Sequence, residues 1–302
     1  MRIVVTNDDG VHAPGIALLA RAAAAYGQVW VVAPDVERSA VAQAITLNGP
    51  LRLRSVRPGW IACDGTPTDC IHLAINQMKL APDVILSGVN PGPNLANDVL
   101  YSGTVAAAME GARWAIPSVA ISHCASGEDL LEDLAPLLPG LLAALMPMVR
   151  SRPIAFNVNL PSVALGPWRG MQVTRLGRRY YSNEVHERTD PRGRPYYWIG
   201  GDHVTMPDIA GSDCNAVRDG LVSVTPLADD ITRYDAMTDI HAALVGPATE
   251  LSVVAAAPDH PHPALADHRA RAADHASAAA GSPDGRSNGA IWPPQVTTKE
   301  SS

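Results

Sequence analysis

The chain has 302 residues, of which 47% are hydrophobic and 18% charged, and its formal net charge at pH 7 is −7. This length and composition suffice for a substantial core and exclude a wholly disordered chain. The negative charge disfavours a protein that binds nucleic-acid polymers through their phosphates, although a bound metal ion can reverse the local sign and admit a small anionic substrate.

The four cysteines indicate neither a zinc site nor a disulfide framework, because Cys63, Cys70, Cys124 and Cys214 include no CxxC pair. The N-terminus lacks the apolar region of a signal peptide, and no apolar run reaches the roughly 20 residues that cross a bilayer. We therefore expect a cytoplasmic protein with reduced thiols and no membrane partner.

The first half of the chain alternates short β-branched runs with helical stretches rich in Ala and Leu. In chain order, the predicted elements are a strand at 3–5, a helix at 14–26, a strand at 29–32, a helix from Thr66 towards Met78, a strand at 84–86, a helix at 103–114, a strand at 118–121 and a helix at 130–149 interrupted at Pro136 and Pro139. Continuous apolar strands separated by helices indicate a parallel sheet covered on both faces. We predict a doubly wound, Rossmann-like α/β sandwich.

From about residue 154 the pattern changes to short strands separated by turns rich in Gly, Pro and Arg. We predict a β-rich extension at roughly 154–235, which includes a protruding hairpin, followed by a closing helix at 235–244. The extension belongs to one domain spanning 1–258. Residues 259–302 are rich in Ala, His, Pro and Ser and are predicted to form a disordered tail.

Polar loops follow several predicted strands at their carboxyl ends, where open α/β sheets bind ligands. The adjacent carboxylates of Asp8 and Asp9 repel each other unless a cation compensates their charge. Mg²⁺ and Mn²⁺ prefer oxygen ligands, and Ser39 and Asn90 could add neutral oxygens from neighbouring strand ends. An acidic pair alone more often caps a helix, but three oxygen-rich loops together favour a metal site.

An anion site is indicated where Ser102, Gly103 and Thr104 begin a helix. Their hydroxyls and free backbone N–H groups would face a phosphate, and Asn94 in the same loop is a weaker candidate for substrate contact. An ordinary helix cap is the alternative. Neither GxGxxG nor GxxxxGK[ST] occurs, which disfavours a dinucleotide oxidoreductase or a P-loop NTPase.

Several of these segments carry a specific resemblance. In order and spacing, the chain resembles the stationary-phase survival protein E (SurE) family of nucleotidases in NDDGVHAPGI, VVAPDVERSA, GTPTDC, SGVNPGPNLANDVLYSGTVAAAMEG and AIPSVAIS. The similarity covers roughly residues 1–125 and continues more loosely through 192–202 and 225–232.

The resemblance implies a 5′/3′-nucleotidase that releases phosphate from nucleoside monophosphates, with some members also acting on short polyphosphate. It implies one divalent cation per subunit, Mg²⁺ or Mn²⁺, held by Asp8, Asp9, Ser39 and Asn90. It also implies a homodimer or homotetramer formed through the C-terminal extension.

Two mechanisms remain open for the predicted catalytic residues Asp8 and Asp9. Either carboxylate could take the proton of an attacking water, which we favour, or Asp8 could attack the phosphorus directly. Two non-enzymatic alternatives are a nucleotide-binding scaffold and a Mg²⁺-binding phospho-receiver module. A receiver would need an Asp at the end of a central strand and a Lys after a later one, where this chain has Asn90 and His123.

Overall fold

The computed structural model describes residues 1–125, 133–162, 167–182, 184–200 and 204–245. Within these ranges the strands are β1 (Arg2–Thr6), β2 (Gln28–Pro34), β3 (Leu53–Arg57), β4 (Trp60–Cys63), β5 (Val84–Asn90), β6 (Ser118–Cys124), β7 (Ala155–Pro161), β8 (Met171–Val173), β9 (Tyr180–Tyr181), β10 (Glu184–Thr189), β11 (Pro195–Gly200), β12 (Val204–Thr205) and β13 (Val222–Leu227). The helices are α1 (Pro14–Ala23), α2 (Pro67–Asn76), α3 (Gly103–Arg113), α4 (Leu138–Val149), α5 (Asp213–Arg218) and α6 (Tyr234–Val245). None of these helices is long and apolar enough to cross a membrane within the described part of the chain.

A nine-stranded sheet organises the fold in the order β3-β4-β2-β1-β5-β6-β7-β13-β8. The strands from β4 to β7 in this order are parallel, whereas β3 is antiparallel to β4 and β13 is antiparallel to β7. The chain builds the sheet outward from β1 on one side through β2 and then on the other through β5. This reversal of direction places a topological switch point at the carboxyl ends of β1 and β5. The predicted doubly wound α/β fold is confirmed.

The two faces of the sheet are covered by different helices. Ile3 and Val5 of β1 lie in the same apolar cluster as residues of α1 and α4, whereas Val4 lies in the cluster that contains residues of α2 and α3. The side chains alternate because successive residues of a strand point to opposite faces. The strand is therefore buried on both sides, as its uninterrupted apolar sequence requires.

The structure differs from the sequence prediction in three places. Strands β3 and β4, at the sheet edge, were not predicted. Helix α4 begins at Leu138 rather than near residue 130, with Pro139 in its first turn, where the N–H that proline lacks would have no partner within the helix. The predicted β-rich extension is divided: β7, β8 and β13 belong to the main sheet, and β9 to β12 form two separate two-stranded ribbons. The predicted tail at 259–302 lies outside the described residues.

Gly15 allows α1 to lie directly on the end of β5. A β-carbon at this position would lie 2.0 Å from the carbonyl oxygen of Val89, the residue before Asn90. Neither backbone can yield easily, since one belongs to a helix and the other to a central strand. The glycine is thus required by the close packing of α1 beside the predicted ligand Asn90.

We expect Gly15→Ala to lower the free energy of unfolding by about 1–3 kcal/mol, because the added methyl group overpacks this contact. The matched control is Gly140→Ala in α4, where a β-carbon meets no atom within 4 Å. The control should be neutral or more stable by up to about 1 kcal/mol, since Ala favours helix over Gly. Urea unfolding measures both changes, and equal stabilities of the two variants would contradict this account of the packing.

Candidate active site

The loops that follow β1 and β2 are bonded to each other at the carboxyl edge of the sheet. The amide of Arg38 donates to the carbonyl oxygen of Asp8 at 2.7 Å, and the amide of Val11 donates to the carbonyl oxygen of Pro34 at 2.7 Å. Parallel pairing of β1 with both β2 and β5 brings the ends of all three strands to this edge. The structure therefore brings the segments that carry Asp8, Ser39 and Asn90 together.

Asp8 is the most deeply placed acid of the predicted site, with 5% of its surface exposed. The Thr104 hydroxyl donates a hydrogen bond to its Oδ1. Burial raises the pKa of the Asp8 carboxyl, and the Thr104 hydrogen bond opposes part of that rise. The carboxylate form at this position is therefore costly without further positive charge, while the neighbouring Asp9 is half-buried.

The beginning of α3 packs closely against Asp8. A β-carbon on Gly103 would lie 2.8 Å from the Asp8 Cβ and 3.0 Å from its Oδ2. Ser102 is the N-cap of the helix, and its Oγ accepts from the Val105 amide at 3.1 Å. The first N–H groups of a helix have no partner within the helix, so this end carries donors and a partial positive charge. The predicted carboxylate and anion sites are thus adjacent.

Ser39 and Asn90 lie at the rim of this site. Ser39 is exposed, and its hydroxyl donates to Glu37 Oε1 at 2.8 Å. Asn90 is half-buried, and its Nδ2 donates to the carbonyl oxygen of Gly92 at 2.8 Å. Each is attached to a loop that reaches the site, but their role as ligands stays a prediction.

Two of the predicted phosphate ligands already form side-chain hydrogen bonds within the protein. The Thr104 side chain is fully buried and bonded to Asp8, and the backbone N–H groups of Gly103 and Thr104 also stabilise the Asp8 carboxylate. The Asn94 side chain is also buried, and its Nδ2 donates to Ser122 Oγ at 2.8 Å. An indirect role for Asn94 fits these contacts better than direct contact with substrate.

Sequence reasoning missed a carboxylate that holds the loop after β2. Asp69, in the GTPTDC motif, forms a capping box with Thr66 at the start of α2. Its carboxylate also accepts from the Thr46 amide at 3.0 Å and from the Thr46 hydroxyl at 2.6 Å. The available signal was the capping-box spacing, which gives no information about the distant partner.

His123 does not supply the cation that a receiver module requires. Its side chain is fully buried, and neither ring nitrogen has a hydrogen-bond partner among the described residues. Burial lowers the pKa of the imidazole, so the ring is neutral at pH 7. His12, in contrast, is exposed.

We expect the Thr104 hydroxyl and the Asp8 carboxyl group to be energetically coupled, because each is the other's buried hydrogen-bond partner. In a double-mutant cycle of Asp8→Ala and Thr104→Val, measured by urea unfolding without divalent cations, the coupling should be about 1–3 kcal/mol. Simple addition of the two single effects would show that the contact contributes nothing.

Known proteins are similar to this chain in sequence and in fold. The profile of the family described as Survival protein SurE matches residues 3–183. The 5′-nucleotidase SurE of Anaeromyxobacter sp. (strain Fw109-5) is 51% identical over 241 residues, covering 78% of this chain and 93% of the relative. The 5′-nucleotidase SurE of Geobacter metallireducens is 46% identical over 245 residues, covering 80% and 96%.

A crystal structure of the SurE protein from Aquifex aeolicus superposes with a TM-score of 0.68 at 36% identity, covering 80% of this chain and 99% of that one. Sequence and fold therefore agree with the resemblance drawn from the motifs. The chain belongs to the SurE family.

Proposed function

We propose that this chain is a divalent-metal-dependent phosphomonoesterase that hydrolyses nucleoside 5′- and 3′-monophosphates to nucleoside and phosphate. The observation that carries the proposal is the buried Asp8 carboxylate in direct contact with the start of α3. Negative charge and the N-terminal end of a helix are adjacent there, which suits a site that would hold a divalent cation beside a phosphate group. The relatives named 5′-nucleotidase SurE support nucleotides as the substrate class.

The residues at this edge fit a hard divalent cation. Asp8 and Asp9 would contribute carboxylate oxygens, Ser39 a hydroxyl, and Asn90 its Oδ1, since its Nδ2 is bonded to a backbone carbonyl. A cation would also offset the desolvation that raises the pKa of Asp8. When bound, Mg²⁺ or Mn²⁺ supplies Lewis-acid activation of phosphate and water.

The start of α3 would bind and orient the phosphate. The backbone N–H groups of Gly103 and Thr104 and the hydroxyl of Ser102 would be the donors, with a cation taking over the Asp8 carboxylate that these N–H groups stabilise in its absence. Gly103 lets this end of the helix lie directly against Asp8, because a β-carbon there would lie 2.8 Å from the Asp8 Cβ. These donors would also stabilise the charge that builds on the equatorial oxygens as the phosphoryl group transfers.

In the proposed reaction, a water attacks the phosphorus and passes its proton to Asp8 or Asp9. The bond between phosphorus and the nucleoside oxygen breaks, and that oxygen takes up a proton from solvent. The Thr104 hydroxyl would hold Asp8 Oδ1 in one orientation throughout. The competing route has Asp8 attack the phosphorus, and trapping a phosphorylated Asp8 would exclude the water route.

We expect phosphate release from AMP with Mn²⁺, and loss of release when a chelator is added. Asp8→Asn should lower kcat by at least about 100-fold while the protein remains folded, because the cation and the proton acceptor both depend on this carboxylate. The matched control is Asp83→Asn, the same change at the exposed amino end of β5. Unchanged activity of Asp8→Asn would refute the metal and catalytic assignments.

The same phosphate-release assay tests the proposed 3′-nucleotidase activity, an exopolyphosphatase activity and the non-catalytic alternative. Release from 3′-AMP tests the second substrate position, and release from short polyphosphate tests exopolyphosphatase activity. A protein that binds AMP without releasing phosphate would be a scaffold rather than an enzyme.

We also propose that the chain forms a homodimer or homotetramer through the β10–β11 ribbon. One face of the ribbon presents Val185, Tyr197 and Ile199, and Ile199 is 92% exposed. Among the described residues these two strands pair only with each other. A second copy of the chain would remove this apolar face from water.

We expect Ile199→Asp to shift the solution mass towards that of one chain, because a charge in the interface must be desolvated. Light scattering after size exclusion measures the mass. Leu47→Asp is the control, since Leu47 is 80% exposed but lies outside the ribbon. A wild-type protein that is already monomeric would disprove the assembly.

A further inference from the structure

The loop between Asn90 and Ser102 contains a buried segment that its own sequence does not explain. Asn94, Leu95 and Ala96 are all buried, although loops normally run over the surface. Ala96 has a φ of 54°, in the left-handed region that residues other than glycine rarely adopt. Side chains from elsewhere in the fold must therefore hold this backbone.

Asn159 of β7 binds the backbone of Asn94 through both ends of its amide. Its Oδ1 accepts from the Asn94 amide at 2.9 Å, and its Nδ2 donates to the Asn94 carbonyl oxygen at 3.0 Å. Asn157 donates to the same carbonyl oxygen at 2.7 Å. This two-ended pairing fixes the position and the orientation of the Asn94 peptide groups, as a neighbouring strand would.

Asp213 holds the next part of the segment. Its Oδ2 accepts from the Ala96 amide at 2.7 Å, and its Oδ1 accepts from the amides of Gly177 and Cys214, each at 2.8 Å. Hydrogen bonds from backbone N–H groups to a buried carboxylate are the strong, charge-assisted kind. The N-terminal end of α5 is thereby bonded to the active-site loop.

The polar character of β7 has no evident purpose in the core itself. Val158 and Leu160 lie on one face of this strand in the main apolar cluster, whereas Asn157 and Asn159 alternate with them and are equally buried. Burying a side-chain amide costs free energy unless its N–H and C=O groups are hydrogen-bonded, whereas burying a hydrocarbon side chain of the same size carries no such cost. In this protein the side-chain amides hydrogen-bond the backbone of the loop that joins the predicted ligand Asn90 to the predicted phosphate donors.

We propose that Asn159, assisted by Asn157 and Asp213, is a positioning residue of the phosphatase reaction. This inference rests on the proposed function. By fixing Asn94 and Ala96, these side chains set the separation between Asn90 and the start of α3. Rates are sensitive to this geometry, since a misplacement of about 1 Å can cost about 100-fold.

Asn159→Leu keeps the approximate shape of the side chain and removes both hydrogen bonds. We expect kcat for AMP with Mn²⁺ to fall about 10- to 100-fold, with KM changing by less than about threefold. Asn157→Leu should have a smaller effect, because Asn157 makes one of these bonds and Asn159 makes two. The matched control is Asn76→Leu, which removes an amide that donates to His72 in α2, and it should keep kcat within about twofold.

A second readout does not depend on activity. Hydrogen exchange of the unliganded protein should show amides in 91–101 exchanging at least about tenfold faster in Asn159→Leu than in the wild type or in Asn76→Leu. Thermal unfolding selects an assay temperature at which every variant is folded. A folded Asn159→Leu protein with unchanged kcat would overturn the inference. If the wild type releases no phosphate from any nucleoside monophosphate, the proposed function fails, and unchanged exchange in 91–101 would then overturn the positioning role separately.

Discussion

The Asp8 carboxylate lies just after β1, where the protein removes it from water without giving it a basic hydrogen-bond partner among the described residues. A buried charge of this kind is costly unless nearby dipoles or a counter-ion replace its hydration. The surrounding contacts follow from this requirement. The Thr104 hydroxyl points to Oδ1, Gly103 brings the positive end of α3 within reach, and the Arg38 amide fixes the Asp8 carbonyl group.

The loops around Asp8 are also held in place by hydrogen bonds. The amide of Ala42 in the loop after β2 donates to the carbonyl oxygen of Tyr101 at 3.0 Å, so the loop that precedes α3 is held from that side. From the other side, side chains of β6, β7 and α5 hold Asn94 and Ala96. Two anchored sides leave the start of α3 little freedom. The proposed phosphoryl transfer would gain from such rigidity, because the dipoles of the site would not need to reorganise during the reaction.

Much of the fold could be predicted because its signals are local. The continuous apolar runs of β1 and β5 predict buried parallel strands, and the sequence around Thr66 and Pro67 predicts the start of α2 where the structure has it. Strand β3 carries no such signal, since its side chains are half-buried or exposed at the sheet edge. The α/β fold was predicted correctly from the alternation of apolar strands with helical stretches, and the family from motifs in the first 125 residues.

The supporting residues of the site could not be predicted, because their partners are distant in sequence. Asn159 lies 65 residues from Asn94, and Asp213 lies 117 residues from Ala96. A polar residue in an apolar strand signals that some partner exists, but only the fold identifies it. The predicted ligands could be proposed from the sequence because they lie at or after strand ends. Parallel strands bring these ends to one edge of the sheet.

The position of β13 in the sheet has a consequence for how the protein is made. β13 pairs with β7 and with β8, although it follows both by many residues. During synthesis, Asp8, Asn90 and Thr104 leave the ribosome early, whereas Asn159, Asp213 and β13 leave late. Until β13 arrives, β7 has an unpaired edge, and unpaired edges invite contact with other chains. The nascent chain therefore contains its predicted ligands well before the residues that position them, and during this interval the edge of β7 is open to pairing with another chain.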